Sequence, residues 1–359
     1  MGKKGKHPPE SNEALDAVEA VIRTAKRKKN FFEANVIPLK GDSKRERRRK
    51  SVFDLMLLVV VASAVVLVWY SVLDPMNAKK DYEALMRMRQ TEATTLAPEE
   101  QPTTPLGEVV PMEPVTEKPT VVHQSAEKFL ARNKDYKFWL SAPGGNINYP
   151  VVQYTDNDYY LHKNFDRKPS RYGNPFLDYR SKTDPVSTNL IIYGHNMKDG
   201  TIFAGLKNYR QRDVVARYPI ITLEWPGGNT SQYKIFSVLV VNGKAKDDNG
   251  HIFAVNTPDF PDAKSFEGYI RQLEERTYTK TGVDVQYGDK LIALQTCVYD
   301  FEDEFLYVVG RMVRPGESIK VDPAGVKANP NPRLPQIMYT KRGAKNPFVG
   351  AEQWSPPSR

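Results

Sequence analysis

Cysteine is almost missing from this chain: Cys297 is the single one in 359 residues. One thiol excludes an intrachain disulfide framework, a paired-cysteine redox centre and a multi-cysteine zinc site. Histidine is scarce too, at five. His7, His123, His162 and His251 stand far apart in polar surroundings, less convergence than a metal site needs. A basic groove for nucleic acid is also lacking, although the net charge is +9. Residues 1–50 carry 15 Lys/Arg against 7 Asp/Glu, whereas the other 309 carry 37 against 36. The basicity belongs to the N-terminal end, and no nucleic-acid partner is expected. Aromatic residues are absent from residues 91–120, which hold six Pro, seven Thr and several Glu. Such a stretch cannot bury a core.

One long apolar run is present. Val52–Leu73 reads VFDLMLLVVVASAVVLVWYSVL, 22 residues whose one charge is Asp54. That is enough to cross a hydrocarbon layer of about 30 Å as a helix. Lys44 to Lys50 precede it with six basic residues, so the positive-inside rule puts the N-terminus in the cytoplasm and residues 74–359 outside. Trp69 and Tyr70 fall where aromatic rings favour the interface. A basic region of 50 residues and no small-x-small exit make the run an uncleaved signal anchor in contact with membrane lipid.

The flanking segments divide the rest. Residues 1–51 form a basic cytoplasmic tail. A helix capped by Ser11 or Asn12 and ending near Lys29 is expected in it, with Leu15, Val18 and Ile22 on one face. A partner helix, the inner leaflet or plain solvent are all open for that face. Residues 74–124 read as a Pro/Thr/Glu-rich stalk, extended over residues 91–120. Residues 315–359 hold eight Pro and are expected to lack fixed structure.

Residues 125–314 read as one mostly β unit. Short β-rich runs are expected at Phe138–Leu140, Pro150–Gln153, Leu190–Tyr193, Ile220–Leu223, Tyr233–Val241, Lys290–Thr296 and Leu306–Val313. Helices are expected at Ala126–Asn133 and Ser265–Glu275, the latter with Phe266, Tyr269, Ile270 and Leu273 at helical spacing. Seven or eight strands with few helices suggest a closed or nearly closed barrel. Cys297 follows the apolar strand Leu291–Leu294, and His195 follows Leu190–Tyr193. Both stand at strand ends, where side chains begin to meet solvent. A Cys and a His that meet in space are a nucleophile–base candidate. Separate surface and core roles for the two stay open on spacing alone.

At these residues the sequence resembles the class B sortases, membrane-anchored transpeptidases of Gram-positive bacteria. The matching stretches are Asn148–Gln153 (NYPVVQ), Asn174–Arg180 (NPFLDYR), Asn189–Met197 (NLIIYGHNM) and Leu294–Cys297 (LQTC). The resemblance implies an eight-stranded β-barrel and a cysteine transpeptidase without a cofactor. Cys297 would attack the Thr carbonyl of a sorting motif near the C-terminus of a secreted protein, giving a thioester. An amine of a peptidoglycan precursor or of a pilin would then take the acyl group. His195 would protonate the leaving amine and deprotonate the incoming one. Leu161, Gln295 and Thr296 match positions beside the peptide groove. A cell-wall cysteine hydrolase would use similar residues, but the Cys-before-His order and the Ser-His-Gly-Cys run of such enzymes are both missing. A weak or inactive sortase-like scaffold at the cell surface is the non-enzyme alternative.

The chain departs from the family at one position. Active sortases carry an Arg on the strand after the Cys, in many class B members about eight residues beyond it. Phe305 stands there, and the next Arg is Arg311. By the two-residue strand period Arg311 shares a face with Phe305 but lies roughly 20 Å along the strand. Three accounts are open. Arg311 serves as third member through a bulge near Glu302–Leu306, Arg180 reaches in, or backbone N–H groups act alone.

Overall fold

The computed structural model describes residues 43–90 and 125–357. The helix expected near Ser11–Lys29 and the stretch 91–120 lie outside the described residues. The described residues form two compact units, one ending at Glu83 and one beginning at Ala84.

In the first unit Ser43 caps helix α1 (Lys44–Val68). The Ser43 hydroxyl accepts from the Glu46 N–H, and the Glu46 carboxylate reaches back to the Ser43 N–H, a reciprocal box that satisfies two otherwise orphaned donors. A π-helical turn, Trp69–Leu73, leads into α2 (Asp74–Gln90). This helical stretch holds an 18-residue window of mean hydropathy 2.7, none of it buried. By length and composition it can cross a membrane.

The second unit continues from α2 through α3 (Ser125–Arg132), β1 (Tyr136–Ala142), β2 (Ile147–Val152), β3 (Phe176–Leu177), β4 (Asn189–Tyr193) and α4 (Arg212–Arg217). Then come β5 (Ile220–Glu224), β6 (Thr230–Asn242), α5 (Ala263–Arg276), β7 (Thr279–Lys280), β8 (Leu291–Val298) and β9 (Glu304–Met312). Strand β10 (Lys327–Ala328) and helix α6 (Gln336–Lys341) complete it. Eight strands close a barrel in the order β1-β2-β3-β4-β8-β9-β6-β5. Neighbours β1/β2, β5/β6 and β8/β9 are antiparallel hairpins, whereas β4 and β8 run parallel.

The barrel strands at the site are buried on both faces. Leu190, Ile192, Ile292, Leu294, Leu306 and Val308 are sealed from solvent and, by strand alternation, line the inside. Ile191, Leu291, Ala293, Tyr307 and Val309 form the opposite face and pack beneath Phe266, Tyr269, Ile270 and Leu273 of α5. This explains why β8 reads as an unbroken apolar run. Asp262 starts α5 by accepting from the Ser265 N–H at 2.7 Å, a normal N-cap. The eighth strand, β3, is two residues long, too short to leave a periodic signal.

The C-terminal segment corrects an expectation. Proline content suggested that residues 315–359 lack structure, yet residues 315–357 lie on the barrel unit. β10 pairs with β7, and Val326, Arg333, Leu334, Met338, Tyr339 and Trp354 are buried.

Candidate active site

The parallel pairing of β4 with β8 builds the site. Its register runs from Asn189↔Leu291 to Tyr193↔Gln295. β4 ends at Tyr193, two residues before His195, and its partner Gln295 stands two residues before Cys297, so both residues follow at the same end of the joint. Three hydrogen bonds carry the ladder past the strand end. The Gly194 N–H donates to the Gln295 carbonyl at 3.1 Å. The Thr296 hydroxyl donates to the Gly194 carbonyl at 2.7 Å. The Asn196 side-chain amide donates to the Cys297 carbonyl at 2.8 Å. Gly194 is required here, because a Cβ would lie 2.5 Å from the Phe203 ring. The loop beyond it returns at once: Phe203 N–H bonds the His195 carbonyl at 2.9 Å. Ile202 takes a left-handed φ of 58°, a rare conformation for a β-branched residue, and its N–H is held by the Tyr149 hydroxyl at 3.0 Å.

The imidazole of His195 is fixed from behind. Its Nε2 lies 2.9 Å from the Leu161 carbonyl. A carbonyl only accepts, so Nε2 carries a proton and, in the neutral ring, Nδ1 is left as the acceptor. Gly173, at φ 60°, lets the chain pass close below: a Cβ there would lie 3.2 Å from His195 Cδ2 and 2.5 Å from the Tyr160 carbonyl oxygen.

Cys297 is half-buried and unpaired. Burial, and after it the carboxylate of Asp303, push the thiol up from its ordinary value, since both disfavour the thiolate. Directly across the β8/β9 hairpin stands Phe305. On the same face Tyr307, fully buried, donates its hydroxyl to Gln295 Oε1 at 2.6 Å. The turn between the strands carries Asp300, Glu302 and Asp303, and Glu304 opens β9. Lys244 lies 2.8 Å from Glu302 Oε1 and 3.0 Å from Asp303 Oδ2, and Arg210 bonds Asp300 Oδ2 at 2.6 Å.

Other candidates stand elsewhere or act differently. Arg311 pairs with Leu291, the far end of β8 from Cys297, and the β8/β9 register runs from Val298↔Glu304 to Leu291↔Arg311 without a shift. No bulge brings it up the strand. Its guanidinium is buried and committed to Glu317, the Asp284 carbonyl at 3.1 Å and the Met312 carbonyl at 3.0 Å. Arg311 is therefore not a third member of the site but half of an ion pair. Hydrogen bonds from Arg311 chiefly, with a further one from Lys234, hold the Glu317 carboxyl far below the usual range.

Arg180 clasps Asp178 at 2.9 and 2.8 Å and the Asn256 carbonyl at 3.0 Å. Burial raises the Asp178 carboxyl, but hydrogen bonds from Arg180 and Tyr193 outweigh it and keep the group ionised. Thr296 is 2 % exposed, so it ties strands together and cannot line a peptide groove. Leu161 contributes its carbonyl to His195, and Gln295 stays partly exposed beside Cys297. Asn196, Lys244 and Asp303 are additions to the site. Asn196 lay within a motif already singled out, but its partner is 101 residues away. Among the described residues no three His, Cys, Asp or Glu converge as a metal site.

Residues 140–313 match the family model described as the sortase domain. Sortase B of Listeria monocytogenes is 35% identical over 187 residues, 52% of this chain and 71% of that one. Sortase B of Staphylococcus aureus is 29% identical over 198 residues, 55% of this chain and 75% of that one. Among solved structures, the Staphylococcus aureus sortase B–substrate complex shares the fold with a TM-score of 0.54 at 22% identity, covering 67% of this chain and 99% of that one. The chain belongs to the sortase B family of cysteine transpeptidases.

Proposed function

We propose that Cys297 is the nucleophile and His195 the general acid and base of a transpeptidase that cuts a C-terminal sorting motif after Thr. The observation that supports this reading is the β4–β8 register, which ends at Tyr193↔Gln295, two residues short of both His195 and Cys297, while the Nε2 bond to Leu161 leaves Nδ1 as the acceptor. The resting thiol is neutral, its value raised by burial and by Asp303. As sulfur attacks the Thr carbonyl, the thiol proton passes to Nδ1, and Nδ1 delivers it to the leaving amine. The C–N bond breaks, and a thioester remains on Cys297. An incoming amine attacks that thioester, loses its proton to Nδ1 and forms the new amide. The proton then returns to the released sulfur.

Phe305 offers the developing oxyanion no donor. With Arg311 and Arg180 both committed, backbone N–H groups at the end of β8 bear that charge, which makes for a slow enzyme. The protein substrates are secreted proteins with a C-terminal sorting signal. The acceptor is an amine of the peptidoglycan precursor or of a pilin. The basic residues Lys44–Lys50, before the apolar run, orient the N-terminus to the cytoplasm and the barrel to the cell surface. Mass spectrometry after incubation with sorting peptides tests the reading. A covalent adduct on Cys297 supports it, whereas binding without an adduct assigns the domain to scaffolding.

A further inference from the structure

The C-terminal segment that follows the sortase-domain match touches both turns at the rim of the site. Helix α6 is short, six residues, or about 9 Å at 1.5 Å per residue. Its first residue, Gln336, donates its N–H to Asp248 Oδ1 at 3.0 Å. Its last, Lys341, donates from Nζ to the Asp300 carbonyl at 2.7 Å. Asp248 ends the 3-10 turn Ala245–Asp248. Asp300 lies three residues beyond Cys297, in the turn that leads to Phe305. The two turns are joined again by Lys244, which pairs with Glu302 and Asp303, and by the Gly243 N–H on the Asp303 carbonyl at 2.6 Å. Helix and turns thus form a closed ring around the end of the hairpin that carries Cys297.

The segment on either side of α6 is anchored deeply. Arg333, 3 % exposed, pairs with Glu275 of α5 at 2.9 Å and bonds the Glu352 carbonyl at 2.7 Å. Trp354 donates from Nε1 to the Ser265 carbonyl at 3.0 Å. Its ring centroid lies 5.2 Å from that of Tyr269 and 6.0 Å from that of Phe253. Gly268 makes the room, since a Cβ there would lie 2.8 Å from Trp354 Cδ1. The layer that Trp354 joins also contains Tyr193 and Phe305, the residues next to the catalytic pair.

We propose that residues 333–354 are a clasp that holds the turn 299–303 in the geometry the nucleophile needs, with Lys341 as its positioning residue. The proposal rests on the reading of Cys297 as nucleophile. The turn bears three carboxylates, Asp300, Glu302 and Asp303, whose mutual repulsion favours opening, while Glu304 of β9 accepts from the Asp300 N–H at 2.8 Å. Cations from three separate elements, Arg210, Lys244 and Lys341, oppose that. Lys341 differs from the other two in holding a backbone carbonyl, so it fixes the path of the chain.

The test uses the full chain with Lys341→Met, Lys341→Arg and Trp354→Ala. Hydrogen exchange at the amides of residues 299–303 is expected to quicken about three- to tenfold in Lys341→Met, and more in Trp354→Ala. Lys341→Arg should restore protection, because a guanidinium reaches the same carbonyl. Acylation of Cys297 by a sorting peptide should slow by a similar factor in kcat, with KM unchanged within about twofold. Unchanged exchange in folded Lys341→Met, or failure of Lys341→Arg to restore it, overturns the clasp. If the wild-type protein forms no acyl-enzyme, the transpeptidase reading falls. The exchange result, together with the rate of Cys297 alkylation by iodoacetamide in the same variants, still decides the clasp.

Discussion

Around Cys297 the neighbouring side chains work against an easily formed thiolate. Asp303 adds to the effect of burial, so Asp303→Asn removes a negative charge that disfavours ionisation. The thiol value should fall, and alkylation at pH 7 should accelerate severalfold, as read from a pH–rate profile with iodoacetamide. Cys297→Ala should abolish acyl transfer, and His195→Ala should lower it by about 10²–10⁴, with the fold kept in both, since neither side chain fills the core. Phe305 is the more informative position. It sits in the rung opposite Cys297, where a guanidinium would meet the oxyanion. One such donor is worth about 10²–10³ in rate, so Phe305→Arg should accelerate thioester formation in single-turnover assays. No acceleration would mean that backbone donors already meet the need.

Strands and turns decide how far the pair can move. Beyond Tyr193 the β4–β8 ladder relies on the side chains of Thr296 and Asn196. Thr296→Val and Asn196→Ala each leave a carbonyl short of a partner, which costs about 1–3 kcal/mol. Melting temperature should drop modestly, while acylation by a sorting peptide drops more steeply, because the loss falls at the reacting end of the sheet. Much of this element-level picture was legible in the sequence. β8 and β9 announced themselves as apolar runs, α5 by its four apolar residues at helical spacing, and the site by Tyr193–Met197 and Thr296–Cys297. What was not legible depended on contacts distant along the chain. β3 has two residues, and α6 spans six. Arg311 shares the face of Phe305 by strand period, but only the unshifted register and its pairing with Glu317 exclude it from the site. The Pro-rich C-terminus looked unstructured because composition counts residues and not the single buried anchors, Arg333 and Trp354, that hold it.

At the scale of the whole molecule, charge and apolar length are segregated along the chain. The basic excess lies in residues 1–50, ending in the first turns of α1, the apolar run from Val52 follows it, and the remainder is nearly neutral. Protease added to intact protoplasts is therefore expected to release the barrel unit and leave an N-terminal epitope protected. Protection of the barrel with loss of the epitope would reverse the orientation. The parallel joint between β4 and β8 has a consequence for how the molecule comes into being. The hairpins β1/β2, β5/β6 and β8/β9 can form from neighbouring segments, and the last of them already carries Cys297. His195 sits 102 residues earlier, and a parallel pair has no hairpin through which to zip up. Loop-closure entropy has to be met before that pairing yields any contact energy. The hairpin bearing Cys297 can thus form early, and His195 comes beside it only when the barrel shuts. In a refolding experiment, hairpin amides should gain protection before acylation competence returns.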